Sequence, residues 1–260
     1  MPDNTSLKAG ITRVPVSVLR DAIYKCLTCR VDDEYRGAVM FDVWQDNVVL
    51  VATDGVSLVI VKLAGLDMGK PERHIRVTPL SWRQLWYRVR YRKYGDVVFN
   101  WQTKQCQVED RVIELETDAH TPPPWRRIVE MTQDYAAWFT ASALRDVFAG
   151  LKAAHCEIAV CNYARKTDLL QDQLQIEARS KRLQMHTSCD VFVKGTDNFE
   201  FAVDVKRMYA MLQRVGCERV RIGKGWREPL AFDFSGGVAF LMPMDLEEVR
   251  FLWNMRESQS

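Results

Sequence analysis

No apolar run in the 260-residue chain approaches the ~18 residues of a membrane-spanning helix, which argues against a helical membrane protein. The opening MPDNTSLKAG lacks the apolar core of a secretory signal, so a cytoplasmic protein is expected. The net charge is only +2, so no chain-wide field demands a polyanionic partner; a basic surface can arise only by segregating charge to one side. The seven cysteines show no disulfide framework, and the odd count suits a reducing compartment. Catalytic signals are equally scarce. The four histidines, at 74, 120, 155 and 186, are dispersed, and none sits beside a Ser or Cys in a nucleophile motif. GLDMGKP, residues 65–71, is one residue short of a phosphate loop and has Pro71 where a hydroxyl is needed. Ser235-Gly236-Gly237 reads as a hairpin turn, and Asp32-Asp33-Glu34 as a solvated loop. No enzyme and no cofactor are expected.

Cys26 and Cys29 form a CxxC, which would serve redox chemistry or supply half a zinc site. A zinc site wants a second close pair, and Cys156 and Cys161, beside His155, are separated by four residues instead of two. The reading preferred is small apolar residues on a core-facing stripe, with no metal.

What is present is a recurring helix. In TPLSWRQLWYRVRYRKY, Thr78 to Tyr94, residues Trp82, Leu85, Trp86 and Val89 fall at i, i+3, i+4 and i+7, which predicts an apolar face. Thr78 suits the cap, Pro79 the first turn and Gly95 the stop. The outer face is basic. Similar helices are predicted from Pro15 to Arg30 (Val16, Leu19, Ile23, Cys26), from Ser142 to His155 (Leu144, Val147, Phe148, Leu151) and from Asp204 to Val215 (Val205, Met208, Leu212, Val215). They begin near 15, 78, 142 and 204, an almost constant interval that signals an internal repeat. Each follows a strand-like run: 11–14, 74–77, 136–140 and 199–203.

Further strands are predicted at 38–43, 47–52, from Val56, and at 96–101, 105–109, 112–117, 157–162, 173–178, 185–192, 220–222, 230–234 and 238–242. The prolines at 122–124 forbid helix and central strand where they stand, and a domain boundary is expected near 120–132. The plan is α+β: two domains, each holding two strand–helix–strand units with the helices on one face of the sheet. If rotation relates the units, the helices share one side. Their outer faces carry Arg20, Lys25, Arg83, Arg88, Arg90, Arg92, Lys152, Lys206, Arg207 and Arg214, against Asp21, Asp146 and Asp204. A basic concave surface would meet phosphates without reading sequence, and the Arg-Tyr alternation of Arg88–Tyr94 would suit stacking on single-stranded bases. The competing reading is a set of solvated helical faces.

Three motifs carry a resemblance: VATDGVSLVIV at 51–61, TPPPWRRIVE at 121–130 and VAFLMPMDL at 238–246. In this order and spacing they resemble the bacterial-type DNA polymerase III beta sliding clamp family. That family has a TDG-His-Arg-Leu turn in its middle domain, a Pro-x-aromatic-Arg-Arg-aliphatic linker and a Met-Pro-Met near its C-terminus. The resemblance covers nearly the whole chain and implies the DNA clamp fold, with two β-α-β-β-β units per domain and helices lining the inner face of a ring around duplex DNA. It implies a processivity factor without catalysis, holding a DNA polymerase and clamp loader through short peptide motifs.

Because the TDG motif lies in the first half, residues 1–125 are expected to correspond to the family's middle domain and 126–260 to its last, with an extension at 247–260. A ring of six domains then requires a homotrimer. The alternative is a non-ring clamp-like module that competes for clamp partners. By motif position the resemblance implies a partner-peptide pocket of Thr53, Gly55, Val56, Ser57, Leu58, Pro123, Arg127, Ile128, Phe240, Met242, Pro243, Met244, Asp245 and Leu246. Leu58 and Phe240 have a competing reading as domain core. Met side chains would make an adaptable groove. Val56 and Ser57 replace the usual His and Arg, and Asp245 a usual Arg, so the pocket is less basic. Tyr35 and Arg36 lie where the family places a DNA-facing loop. The tail, with Phe251–Trp253, is expected to pack beside the pocket and alter access.

Overall fold

The computed structural model describes residues 10–29, 38–64, 67–68, 71, 74–115, 124–132, 134–163, 172–180, 183–193, 198–223 and 228–257. The chain divides into two compact units, Met1–Pro123 and Pro124–Ser260. Unit one runs β1 (Ile11–Pro15), α1 (Val16–Cys26), β2 (Ala38–Trp44), β3 (Asn47–Thr53), β4 (Ser57–Lys62), β5 (Asp67–Met68), β6 (Ile75–Val77), α2 (Pro79–Val89), β7 (Asp96–Asn100), β8 (Gln105–Val108) and β9 (Arg111–Glu114). Unit two runs α3 (Trp125–Met131), β10 (Ala137–Thr140), α4 (Ala141–Ala153), β11 (Ile158–Tyr163), β12 (Gln173–Arg179), β13 (Gln184–Asp190), β14 (Phe192–Val193), β15 (Phe199–Asp204), α5 (Val205–Arg214), β16 (Arg219–Ile222), β17 (Leu230–Phe234), β18 (Gly237–Leu241) and α6 (Leu246–Glu257). Apart from the two-residue strands β5 and β14 and the helices α3 and α6, each unit is two successive β-α-β-β-β repeats.

The repeats trade their first strands. In unit one, β1 leaves its own repeat and pairs with β7, while β6 pairs with β2; the sheets are β5-β1-β7-β8-β9 and β6-β2-β3-β4. Unit two does the same: β10 pairs with β16 and β15 with β11, giving β14-β10-β16-β17-β18 and β15-β11-β12-β13. All these pairs are antiparallel, and β5 and β14 hold equivalent positions beside β1 and β10. The helices pack in pairs, α1 on α2 and α4 on α5, and each touches strands of both sheets of its unit. This is the predicted α+β class, with the internal repeat visible in the strand order.

Local chemistry explains the elements. Gln45 and Asp46 both take positive φ, the geometry of a two-residue hairpin turn between β2 and β3. Val48–Ala52 and Leu58–Val61 are buried without alternation, as for strands covered on both faces. The α2 cap is Thr78, whose hydroxyl accepts from the Ser81 N–H at 3.4 Å. Asp204 caps α5 through the Arg207 N–H at 2.8 Å, and Gly216, with φ of 65°, follows its end. In unit one's core, Phe41 lies 5.0 Å from Phe99 and 5.3 Å from Trp101, whose indole N–H donates to the Thr12 hydroxyl at 2.7 Å.

Five expectations need correction. Helix α1 ends at Cys26, short of the predicted extent, because both the backbone N–H and the hydroxyl of Thr28 bond the Lys25 carbonyl and tighten the chain into a turn. Helix α2 ends at Val89, because no core-facing apolar residue follows and the Arg92 guanidinium bonds the Arg88 carbonyl at 2.9 Å. Trp86 and Val147 are only half-buried. The linker region holds a helix: α3 starts directly after Pro124, since proline obstructs a helix interior but suits its entrance. Finally, the tail is the helix α6. Asp245 accepts from the N–H groups of Glu247 (2.9 Å) and Glu248 (3.3 Å), and both glutamates favour the positive end of the helix dipole.

Candidate nucleic-acid and peptide-binding surfaces

The basic residues predicted on the helices divide by what they touch. Three have work inside the chain. The Arg20 guanidinium donates to the Arg92 carbonyl at 2.6 Å, tying α1 to the segment after α2. Lys25 pairs with Asp21 at 2.5 Å along α1, and Arg92 forms an ion pair with Glu109. Arg83, Arg88, Lys152 and Lys206 are exposed, while Arg207 and Arg214 are half-buried. The Lys152 ammonium stands 4.3 Å from the Tyr209 ring centre. The guanidinium of Arg90 is held between Tyr87 and Tyr91. Arg145, which the sequence did not single out, donates to the Leu212 carbonyl at 3.3 Å and joins α4 to α5. Tyr35 and Arg36 lie outside the described residues.

The residues expected to bind a partner peptide also divide. The TDG turn is a closed Asx-type turn from β3 to β4. The Asp54 carboxylate accepts from Val56 N–H (3.1 Å) and Ser57 N–H (2.7 Å), and the Thr53 hydroxyl accepts from Gly55 N–H (3.1 Å). Gly55 takes φ of 82°, which explains glycine there. Thr53, Ser57 and Leu58 are buried, so only Gly55 and Val56 offer surface.

In unit two, α3 presents an exposed Arg127 and a half-buried Ile128. It is fixed from below: the Arg221 guanidinium bonds the Thr132 carbonyl at 2.7 Å while forking onto Asp233 at 2.7 and 2.8 Å. Pro123 lies outside the described residues. Phe240 is core, whereas Met242, Pro243 and Met244 form a half-exposed strip after β18. Asp245 is engaged as the α6 cap. Leu246 is buried with Val249, Trp253, Val160 and Ala202, in a cluster that Met244 also touches. The Met244 N–H bonds the Ala202 carbonyl at 2.8 Å, and Arg250 pairs with Glu200 at 2.6 Å, so α6 lies along β15. The core placement of Leu58, Phe240 and Leu246 follows from their position in the apolar stripes, which motif position alone did not separate from surface.

The CxxC thiols are both buried, and Cys29 donates to the Ala52 carbonyl at 3.3 Å. Burial pushes the Cys26 thiol well up from its ordinary value, which opposes the thiolate that redox or metal chemistry needs. Among the described residues no group of three or more His, Cys, Asp or Glu is arranged to hold a metal ion. No described helix is long and apolar enough to cross a membrane.

The sequence matches no family model and no curated protein. Solved structures do match in fold. A DNA polymerase III beta subunit from Thermotoga maritima superposes with a TM-score of 0.74 at 16% identity, covering 95% of this chain and 68% of that one. A DNA polymerase sliding clamp from Pseudomonas aeruginosa gives 0.72 at 19%, covering 95% and 69%. A DnaN sliding clamp from Bartonella birtlesii bound to griselimycin gives 0.74 at 13%, covering 95% and 69%. The chain therefore has the DNA clamp fold. Its structural neighbours are DNA polymerase III beta sliding clamps, of whose length it spans about two thirds.

Proposed function

We propose that the chain is a sliding clamp: a non-catalytic, cytoplasmic processivity factor that encircles duplex DNA. The observation that carries this is the doubled, strand-exchanging β-α-β-β-β unit, matched over 95% of the chain to sliding clamps. Unit one would correspond to the family's middle domain and unit two to its last. Three chains would then close a six-domain homotrimeric ring. The outermost strands β9 and β13 supply edges through which head-to-tail contacts could form.

In this reading Arg83, Arg88, Arg90, Lys152, Lys206, Arg207 and Arg214 face the phosphates, and Arg20, Lys25 and Arg92 contribute chiefly by holding their own elements. A polymerase or clamp loader would dock by a short peptide. The half-exposed Met242, Pro243 and Met244 would supply its apolar floor, with Arg127 and Ile128 of the same unit. Solution mass by light scattering across a concentration range tests the ring. A stable mass of three chains is expected; a concentration-independent monomer would refute it. Arg88→Ala with Arg90→Ala should weaken duplex binding and flatten its salt dependence, and unchanged binding would remove the DNA-lining role.

A second reading is a clamp-like module that competes for clamp partners without closing a ring. It is favoured by the internal engagement of Lys25 and Arg92 with acids, which thins the basic surface.

A further inference from the structure

The turn that follows α2 carries a feature that phosphate tracking leaves unused. From Pro79 to Gly95 there are five cationic residues and no acid. Within this stretch Tyr87, Tyr91 and Tyr94 are 59%, 80% and 86% exposed, an unusual outlay of aromatic surface. The rings are organised: the Arg90 guanidinium sits 4.3 Å from the Tyr87 ring centre and 4.5 Å from that of Tyr91. Among the described residues its buried Nε has no hydrogen-bond partner, so the ring contacts fix the side chain. Beside it opens a cavity of about 470 Å³ lined by Gln84, Tyr87, Arg88, Arg111, Val112 and Ile113. That volume lies within the range of small-ligand sites. Tyr87 walls it with an aromatic ring, and two arginines stand on its lining. Two nearby acids are matched, Glu109 to Arg92 and Asp110, at 3.9 Å, to Arg111.

We infer that this Tyr-Arg platform binds single-stranded polynucleotide by stacking unpaired bases on Tyr87 and Tyr91. Arg88 and Arg111 take the flanking phosphates. The inference does not rest on ring closure. Charge complementarity selects a polyanion, and the exposed ring faces select one whose bases are free. In a duplex those faces are already stacked, so the tyrosines add nothing there.

The test is fluorescence anisotropy on the full chain at low salt. A labelled oligothymidylate is compared with a hairpin duplex of matched phosphate number. Tyr87→Ala and Tyr91→Ala should each weaken oligothymidylate binding by about ten-fold, with the salt slope unchanged because no phosphate contact is lost. Tyr91→Phe should bind as the parent does, and in the alanine variants duplex binding should fall by clearly less than oligothymidylate binding, the loss there being confined to a less firmly held Arg90. Failure of the parent to bind oligothymidylate would overturn the inference. Equal losses on both ligands would do the same, as would polyglutamate competing as well as oligothymidylate, which would mark a general acidic-partner surface. A ring that forms while the tyrosine variants bind normally would sink this inference and leave the clamp reading intact.

Discussion

Trp253→Ala should detach α6 without unfolding the unit beneath it. The helix is held to the sheet by three buried side chains, Leu246, Val249 and Trp253, against Val160 and Ala202, with the Arg179 guanidinium 4.4 Å from the Trp253 ring centre. Truncating a buried Trp costs about 3–5 kcal/mol. The two remaining anchors are worth about 1.5–3 kcal/mol each at full burial, and they must order a whole helix. Removing the indole therefore exceeds what keeps α6 docked, and the loss saturates at the docking free energy. The β15-β11-β12-β13 sheet keeps its other face, where Ala159, Cys161, Tyr163, Phe201 and Val203 are buried. Native-state hydrogen exchange resolves this. Amides of 249–257 should lose about 100-fold or more in protection, the equivalent of roughly 3 kcal/mol, while those of β11 and β12 keep theirs. Cooperative unfolding of the whole unit would refute the reasoning, and so would unchanged protection in α6.

Deleting residues 247–260 should change the affinity of a clamp-binding peptide, measured by anisotropy, because Met244 packs against the α6 cluster; an unaltered affinity would show that α6 does not govern access. Asp233→Ala should cost about 1.5–3 kcal/mol in urea unfolding by freeing the Arg221 fork, and should raise exchange in α3 through the Thr132 carbonyl contact. Stability should fall as pH rises above the ordinary thiol range. Burial raises Cys106 and Cys189 to about 12 and Cys217 to about 11, so the folded thiols keep protons that the unfolded chain releases. With fewer protons bound in the unfolded state, stability drops by roughly 1.4 kcal/mol per such thiol one pH unit above the unfolded value of about 8.5. A flat chemical-denaturation midpoint between pH 8 and about 10 would contradict this.

The repeat was legible because it rests on period. The core-facing positions of α1, α2, α4 and α5 recur at helical spacing, and most long strands show either alternation or a sustained apolar run. What period cannot reveal is partnership: nothing in Ile11–Pro15 announces that it pairs with β7 instead of a strand of its own repeat. α3 was hidden by its own prolines and by its seven-residue length. α6 was written in the sequence as Asp245 ahead of Glu247 and Glu248, with Leu246, Val249 and Trp253 at i, i+3 and i+7, but motif position claimed its first residues for a pocket. For the basic residues, composition identified charge and not its engagement. The Arg20 bond to the Arg92 carbonyl joins α1 to the segment after α2 across a long stretch of chain, and local patterning carries no sign of it.

The exchange of first strands has a consequence for how the chain is made. Ile11 waits for Asn100, and Ala137 for Ile222, before either strand finds its long sheet neighbour; the only earlier partners among the described residues are the two-residue strands β5 and β14. Neither repeat can complete a sheet alone, so each unit closes only once its second half has been synthesised. Loop closure on that scale precedes the reward of pairing, which makes for slow folding of high contact order. Until then β1 and β10 each keep one long edge open, and single repeats expressed separately would expose the same edges to one another.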